Sequence, residues 1–194
     1  MSRVAVVYHS GYGHTKVLAE AVARGVQSVA GTDVALIPVD QAAARAAELD
    51  AADAIVFGAP TYMGSVSAPF KAFMETTSKL WAAQTWRDKL AAGFTNSASQ
   101  NGDKLNSLVQ IAIFAMQHGM IWVGLDLPPG NNSSKGSVDD LNRLGSFLGA
   151  MGQSNADAGP DVAPIGSDQR TAEHLGRRVA LLSLRLAQPD RLAA

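Results

Sequence analysis

Two hydrophobic patterns alternate along the chain. Residues 4–8, 34–39, 54–58, 90–95 and 120–125 form short runs of nearly continuous hydrophobicity. Strands buried on both faces have that character. Between the runs, apolar residues recur at helical spacing. Residues 14–29 place Leu18, Val22, Gly25, Val26 and Val29 on one stripe. Residues 68–81 carry Phe70, Phe73, Met74, Thr77, Leu80 and Trp81, with Pro69 in the first turn, where proline suits a helix start. Residues 103–118 carry Leu105, Leu108, Val109, Ala112 and Met116. Residues 168–187 carry Ala172, Leu175, Val179, Leu182 and Leu186, with Ser167 as the expected N-cap. An Ala-rich helix is expected over residues 42–49.

Strand and helix thus alternate five times. Such alternation implies right-handed crossovers and a parallel sheet covered by helices on both faces. The expected fold is a flavodoxin-like, doubly wound α/β domain with strand order 2-1-3-4-5. Ligands of such sheets bind outside the carboxyl ends of the strands, near the switch point. One stretch breaks the alternation. Residues 126–166 are rich in Gly, Pro, Asn and Ser and are expected to form a flap, since Phe147, Leu148 and Met151 give it something to bury. Ser137-Val138-Asp139-Asp140 is expected to start one short helix within it.

Length and composition narrow the classes. A chain of 194 residues suits a single domain with an insertion and can bury its core without staples. Hydrophobic residues are 47% and charged residues 17%, which excludes a disordered chain. A net charge of −1 gives no basic footprint for nucleic acid and no polybasic run for membranes. There is no cysteine, hence no disulfide, thiolate nucleophile or Cys-ligated metal. Met1-Ser2-Arg3-Val4 leads into a strand-like run without a signal-peptide pattern, and the expectation is a cytoplasmic protein. No His, Asp and Glu residues share a metal-ligating spacing, so no metal is expected.

The chemistry gathers at three predicted strand ends. The first is Ser10-Gly11-Tyr12-Gly13-His14-Thr15, a hydroxyl- and glycine-rich turn opening a helix. Free backbone N–H groups and the positive end of the helix dipole make such a turn an anion site. It is not a Walker loop, because one residue separates its glycines. The second is Pro60-Thr61-Tyr62-Met63-Gly64, and the third is Asn96-Ser97-Ala98-Ser99-Gln100-Asn101. These offer flat apolar contacts and backbone donors for a heteroaromatic ring. Together the three loops point to a mononucleotide with a phosphate and a flat ring.

These motifs, with Leu80-Trp81-Ala82 and Phe94-Thr95-Asn96-Ser97, resemble the WrbA-type NAD(P)H:quinone oxidoreductases. Those are FMN flavoproteins of the flavodoxin-like superfamily, and the resemblance runs from Val4 to about Gly152. It implies FMN as cofactor, with NADH or NADPH as electron donor. Ser10 to Thr15 match the FMN-phosphate loop, and Tyr12 also matches a dinucleotide-binding position. Thr61, Tyr62 and Met63 match the loop beside the isoalloxazine. Asn96 to Asn101 match a second flavin loop. Trp81 matches a tryptophan lining the substrate side of the flavin across a subunit interface. Gln117-His118-Gly119-Met120 matches His-His-Gly-Met, whose first histidine sits by the flavin. Gln117 thus stands where the family has a titratable group, and the general acid is His118 or solvent. Met63 replaces an aromatic residue and Ala98 a glycine. The insertion that many members carry after the second strand is missing.

The implied activity is two-electron transfer from NAD(P)H through FMN to a quinone-like small molecule. An electron-carrying flavodoxin and an NAD(P)H-dependent flavin, nitro or azo reductase are the alternatives. A carrier relies on a charged docking surface, which a net charge of −1 does not supply. Ile111, Ile113, Phe114 and Ala115 make helix 103–118 apolar most of the way round, so the flap or a second subunit must cover it. With the family's usual tetramer, this favours a homo-oligomer, tetramer or dimer.

Overall fold

The computed structural model describes residues 1–187. Its strands and helices are β1 (Ser2–Tyr8), α1 (His14–Gln27), β2 (Thr32–Pro38), α2 (Ala46–Asp50), β3 (Ala54–Tyr62), β4 (Ser65–Val66), α3 (Ala68–Thr76), α4 (Ser78–Ala83), β5 (Leu90–Ser97), α5 (Lys104–Gln117), β6 (Ile121–Trp122), β7 (Ala150–Gln153) and α6 (Gly166–Leu186). The main sheet runs β2-β1-β3-β5-β6 and is parallel. This is the expected order, read in five positions.

The continuous hydrophobicity of the strands follows from two buried faces. Val4, Val6 and Tyr8 of β1 pack with Leu18, Val22 and Val26 of α1 and Leu175 and Val179 of α6. Their neighbours Ala5 and Val7 face the other way, into Phe57, Phe70, Phe73, Trp86, Ile111 and Phe114. On the first face the helices cross very closely. A Cβ on Gly25 would lie 1.9 Å from the Glu173 carbonyl oxygen, and one on Gly176 would lie 2.0 Å from that of Val22. Glycine is required at that crossing for space alone.

The fifth sheet position departs from expectation. β6 pairs only with Leu90 and Ala91, whereas β7 pairs with Phe94–Ser97 farther along the same strand. One sheet position is therefore filled by two short strands, and residues 123–149 form the excursion between them. The flap expected at 126–166 starts earlier and is interrupted by β7. A short Ala-Met-Gly-Gln run has too little pattern to read as a strand alone. The excursion is tied inward. Asn142 donates through Nδ2 to the carbonyls of Leu127 and Ser146 and accepts the Ser146 N–H. Arg143 forms a buried, bidentate pair with Asp168, at 2.7 Å for both bonds.

Smaller corrections have local causes. The helix expected at 68–81 is two helices, α3 and α4, meeting at Thr77. Residues 42–45 are turns, so the Ala-rich helix is confined to α2. Residues 137–140 make a turn closed on Asp140, whose Oδ2 accepts from the N–H groups of Asn131 and Ser137. Ser167 lies inside the first turn of α6 rather than capping it, and its hydroxyl donates to the Val138 carbonyl. Among the described residues, no helix is long and apolar enough to cross a membrane, and no His, Asp and Glu residues cluster as metal ligands.

Candidate functional site

The carboxyl ends of β1, β3 and β5 open into one cleft of about 840 Å³. Tyr12, His14 and Thr15 line it from the first loop, and Pro60, Thr61, Tyr62, Met63 and Gly64 from the second. Asn96, Ser97, Ala98, Ser99 and Gly102 line it from the third. Parallel strands bring these segments together because their carboxyl ends share one sheet edge.

The first loop ends in Gly13, whose φ of +92° makes it the left-handed residue before α1. The N–H groups of Tyr12, Gly13, His14 and Thr15 donate to no acceptor among the described residues. Ser10 lies behind this loop, and its Oγ accepts the Lys16 N–H at 3.1 Å. A Cβ on Gly11 would lie 2.6 Å from the Tyr62 hydroxyl, so the second loop closes against the first. Tyr62 also meets Tyr12 edge to face, with ring centres 6.1 Å apart.

The second loop is a tight hairpin between β3 and β4. Met63 and Gly64 both have positive φ, 49° and 76°, the pattern of a type I′ turn. Met63 is fully exposed at its tip. Beneath it, Thr61 and Thr95 share a hydrogen bond of 2.8 Å, and Thr61 Oγ1 also meets Ser107 Oγ at 2.7 Å. These buried hydroxyls tie the ends of β3 and β5 to α5.

The third loop is held from below. Lys104, 1% exposed, donates to Ser97 Oγ at 2.8 Å and to the carbonyls of Ser99 and Gln100 at 2.9 and 2.7 Å. Gln153 Nε2 holds the Ala98 carbonyl at 2.7 Å. The N–H groups of residues 98–102 donate to no acceptor among the described residues. Gln100 and Asn101 turn towards an adjoining hollow beside Phe147 and Leu148. The Asn96 amide, oriented to match its partners, donates to Ser154 Oγ and to the Gly152 carbonyl.

The far wall is formed by Ser154 and residues 156–160, which sequence patterning assigned only to the flap. This wall reaches the first loop. His14 Nε2 lies 2.8 Å from the Ala158 carbonyl, and a Cβ on Gly13 would be 2.8 Å from Pro160 Cγ. Asp157 is the one carboxylate in the cleft wall among the described residues. The Gly-Pro dipeptide at 159–160 was the available signal for a turn here, but nothing local shows that it folds back onto Gly13.

Of the expected residues, Ser10, Gly11, Gly13, Gln100 and Asn101 belong to the three loops without lining the cleft, and His118, Trp81 and Gln117 lie outside it altogether. His118 is 1% exposed, packed in a tilted contact on Trp86 and edge to face with Phe114, ring centres 4.6 and 4.8 Å away. Its Nε2 lies 3.0 Å from Thr77 Oγ1, Nδ1 has no partner among the described residues, and burial lowers its pKa. It is a core residue with no route to a ligand in this cleft. Trp81, half exposed on α4, and Gln117, exposed at the end of α5, line none of the cleft either.

Two opposed loops of free N–H donors, one of them at a helix start, fit a phosphate and a ring edge rich in acceptors. Residues 8–125 match the family model of NADPH-dependent FMN reductases. The chain belongs to that family. FMN is accordingly its cofactor and NAD(P)H its electron donor. Over 96% of its length the chain is 46% identical to flavodoxin FldP of Pseudomonas aeruginosa, covering 99% of that protein. It is 34% identical to an NAD(P)H dehydrogenase (quinone) of Chromohalobacter salexigens, over 96% of this chain and all of that one. A WrbA-like flavodoxin from Agrobacterium tumefaciens has the same fold, with TM-score 0.74, 40% identity, and 95% and 99% of the two chains covered.

Proposed function

We propose that the protein is a WrbA-type oxidoreductase that passes two electrons from NAD(P)H through FMN to a quinone-like small molecule. The cleft carries this reading: two donor-rich loops and a hairpin at one sheet edge, with Tyr12 and Met63 exposed. Tyr12 to Thr15, with Ser10 behind them, would hold the phosphate. Thr61 to Gly64 and Asn96 to Ser99 would hold the ring. Bound FMN supplies the chemistry of accepting hydride and releasing electrons. The chain's task is to orient the ring, leave one face accessible and direct N–H donors at the atoms that gain charge. Because His118 is sealed in the core, protons reach the acceptor from solvent.

Trp81 and Gln117 can serve a cleft only from another subunit, the role the family resemblance gives Trp81. The exposed face of α5 supports such an assembly. Leu105, Val109, Ile113 and Met116 form a stripe that the 123–149 excursion leaves open, with Leu105 58% and Ile113 54% exposed. We infer a homo-oligomer, tetramer or dimer. Light scattering of the FMN-loaded protein at micromolar concentration is expected to show a multiple of 20.2 kDa.

The deciding experiment is anaerobic mixing of FMN-loaded protein with NADPH, then NADH, while following flavin absorption. Rapid bleaching followed by reoxidation with a quinone is the expected outcome. The 46% identity to a flavodoxin favours a second reading, an electron carrier reduced by a protein partner. A bound flavin that neither nucleotide bleaches would establish the carrier instead.

A further inference from the structure

Lys104 is the most unusual charged side chain in the described structure. It sits in the first turn of α5, is 1% exposed, and forms no ion pair among the described residues. Buried lysines are rare without a carboxylate partner. Here all three ammonium donors go to the third cleft loop: Ser97 Oγ, the Ser99 carbonyl and the Gln100 carbonyl, at 2.7–2.9 Å. Ser97 Oγ in turn donates to the Ser99 carbonyl at 2.9 Å. The cation therefore stands one side chain behind Ser97 and Ser99, which line the cleft.

Its neighbours leave that charge only partly compensated. Asp168 from α6 draws it towards the charged form, but that carboxylate is already bound by Arg143 and by the Gln153 N–H. Arg143, from the excursion, opposes the charge. Residues 97–102 contribute no titratable side chain, and on its own element Asp103 precedes Lys104. Burial is the largest effect and pushes the Lys104 pKa down to about 8.

The hydrogen bonds also orient the loop. In a trans peptide the N–H points opposite to the C=O. Drawing the Ser99 and Gln100 carbonyls onto the ammonium turns the N–H groups of Gln100 and Asn101 away from it, and neither has an acceptor among the described residues. Cation and outward N–H dipoles both make the loop electropositive. Two-electron reduction of a flavin with uptake of a single proton leaves its ring singly negative, so a positive wall favours that reduced state.

We propose that Lys104 is a positioning residue that sets the flavin reduction potential, by making the cleft bind reduced FMN more tightly than oxidised FMN. This rests on FMN as the cofactor and is independent of which donor or acceptor the protein uses. When reduced flavin is bound, its charge holds the Lys104 proton more firmly. Over the pH range between the two Lys104 pKa values, reduction then takes up an additional fraction of a proton, which makes the potential fall more steeply with pH.

The test uses the FMN-loaded chain with a chemical reductant and a reference dye, from pH 6 to pH 9.5. FMN titration is run first, so loss of cofactor binding is seen separately. In Lys104→Met the preference for reduced over oxidised FMN is expected to fall about tenfold, and the additional steepness around pH 8 and above to vanish. Lys104→Arg is expected to keep the preference and shift the steep region out of range. Equal preference and equal pH slope in wild type and Lys104→Met would overturn the proposal, even if both FMN affinities had dropped. Should neither variant fold, the wild type still decides: a slope unchanged from pH 6 to pH 9.5 overturns it. A wild type that takes up no FMN would overturn the cofactor assignment as well.

Discussion

The two loops that face each other across the cleft reach the same end by opposite means. The first, Ser10 to Thr15, contains no buried charge. Its donors come from the start of α1, and its shape from Gly13 at φ +92°. Its supports press from outside: the Tyr62 hydroxyl, the Ala158 carbonyl and Pro160. The third loop, residues 98–102, has no such support above. It is pulled from beneath by Lys104 and from the side by Gln153. A helix start supplies positive potential through backbone dipoles that do not titrate. A buried ammonium supplies it through a charge that can be lost. The two walls of one cleft should therefore answer differently to substitution and to pH.

The largest effect is expected at Gly13. Gly13→Val imposes a left-handed conformation on a β-branched residue and drives its side chain into Pro160, 2.8 Å from the new Cβ. Such strain and overlap cost about 2–4 kcal/mol. Fluorescence titration should show FMN affinity down at least thirtyfold; a loss under threefold would mean that the loop tolerates a different shape. Next in size is the double variant Ser10→Ala, Thr15→Ala. If both hydroxyls serve the phosphate, losing the pair weakens FMN binding by about 1–3 kcal/mol, because water replaces part of each bond. Because Ser10 also receives the Lys16 N–H, melting of the apo-protein is the control. Unchanged affinity would remove the hydroxyls from the phosphate site.

On the opposite wall, Ser97→Ala removes one Lys104 acceptor and leaves the two carbonyls. About 1 kcal/mol is expected, seen as a modest loss of FMN affinity without loss of fold. If Ser97→Ala exceeds the Ser10, Thr15 double variant, the third loop dominates binding and the ranking is wrong. A further effect, confined to alkaline pH, is on stability. The Lys104 pKa is about 8 in the folded chain and near 10.5 unfolded. Between these values the unfolded chain holds more protons, so this group makes the folded state more stable as pH rises from 8 towards 10. Denaturant titrations should show a shallower rise over that window in Lys104→Met; an unaltered slope would mean that Lys104 is charged throughout. Tyr8 and Tyr62, both raised above 10 by burial, act beyond that window.

The first loop was far more legible than the third. Ser10, Gly11, Gly13 and Thr15 adjoin one another after a strand and before a helix, so their chemistry is local. Lys104, by contrast, looks like any solvated lysine at a helix start. Only its inward direction and the closure of residues 97–103 around it make it part of the site. His118 failed in the reverse sense. Its position after Gln117 suggested a site histidine, yet it follows the last residue of α5 and turns inward onto Trp86 and Thr77. Residues 154–160 were missed because β7, which carries them to the cleft, is four residues of weak pattern.

By itself, the sequence determined the class of fold and the order of the five sheet positions. Each follows from short-range periodicity or from residues adjacent in the chain, where steric and hydrogen-bonding rules act directly. The tertiary structure decided the division of the fifth position between β6 and β7, the return of residues 154–160 against Gly13, the sealing of His118 in the core and the burial of Lys104. Those features depend on contacts between segments tens of residues apart, and on which face of a helix the sheet covers. Local propensity has no means of recording either.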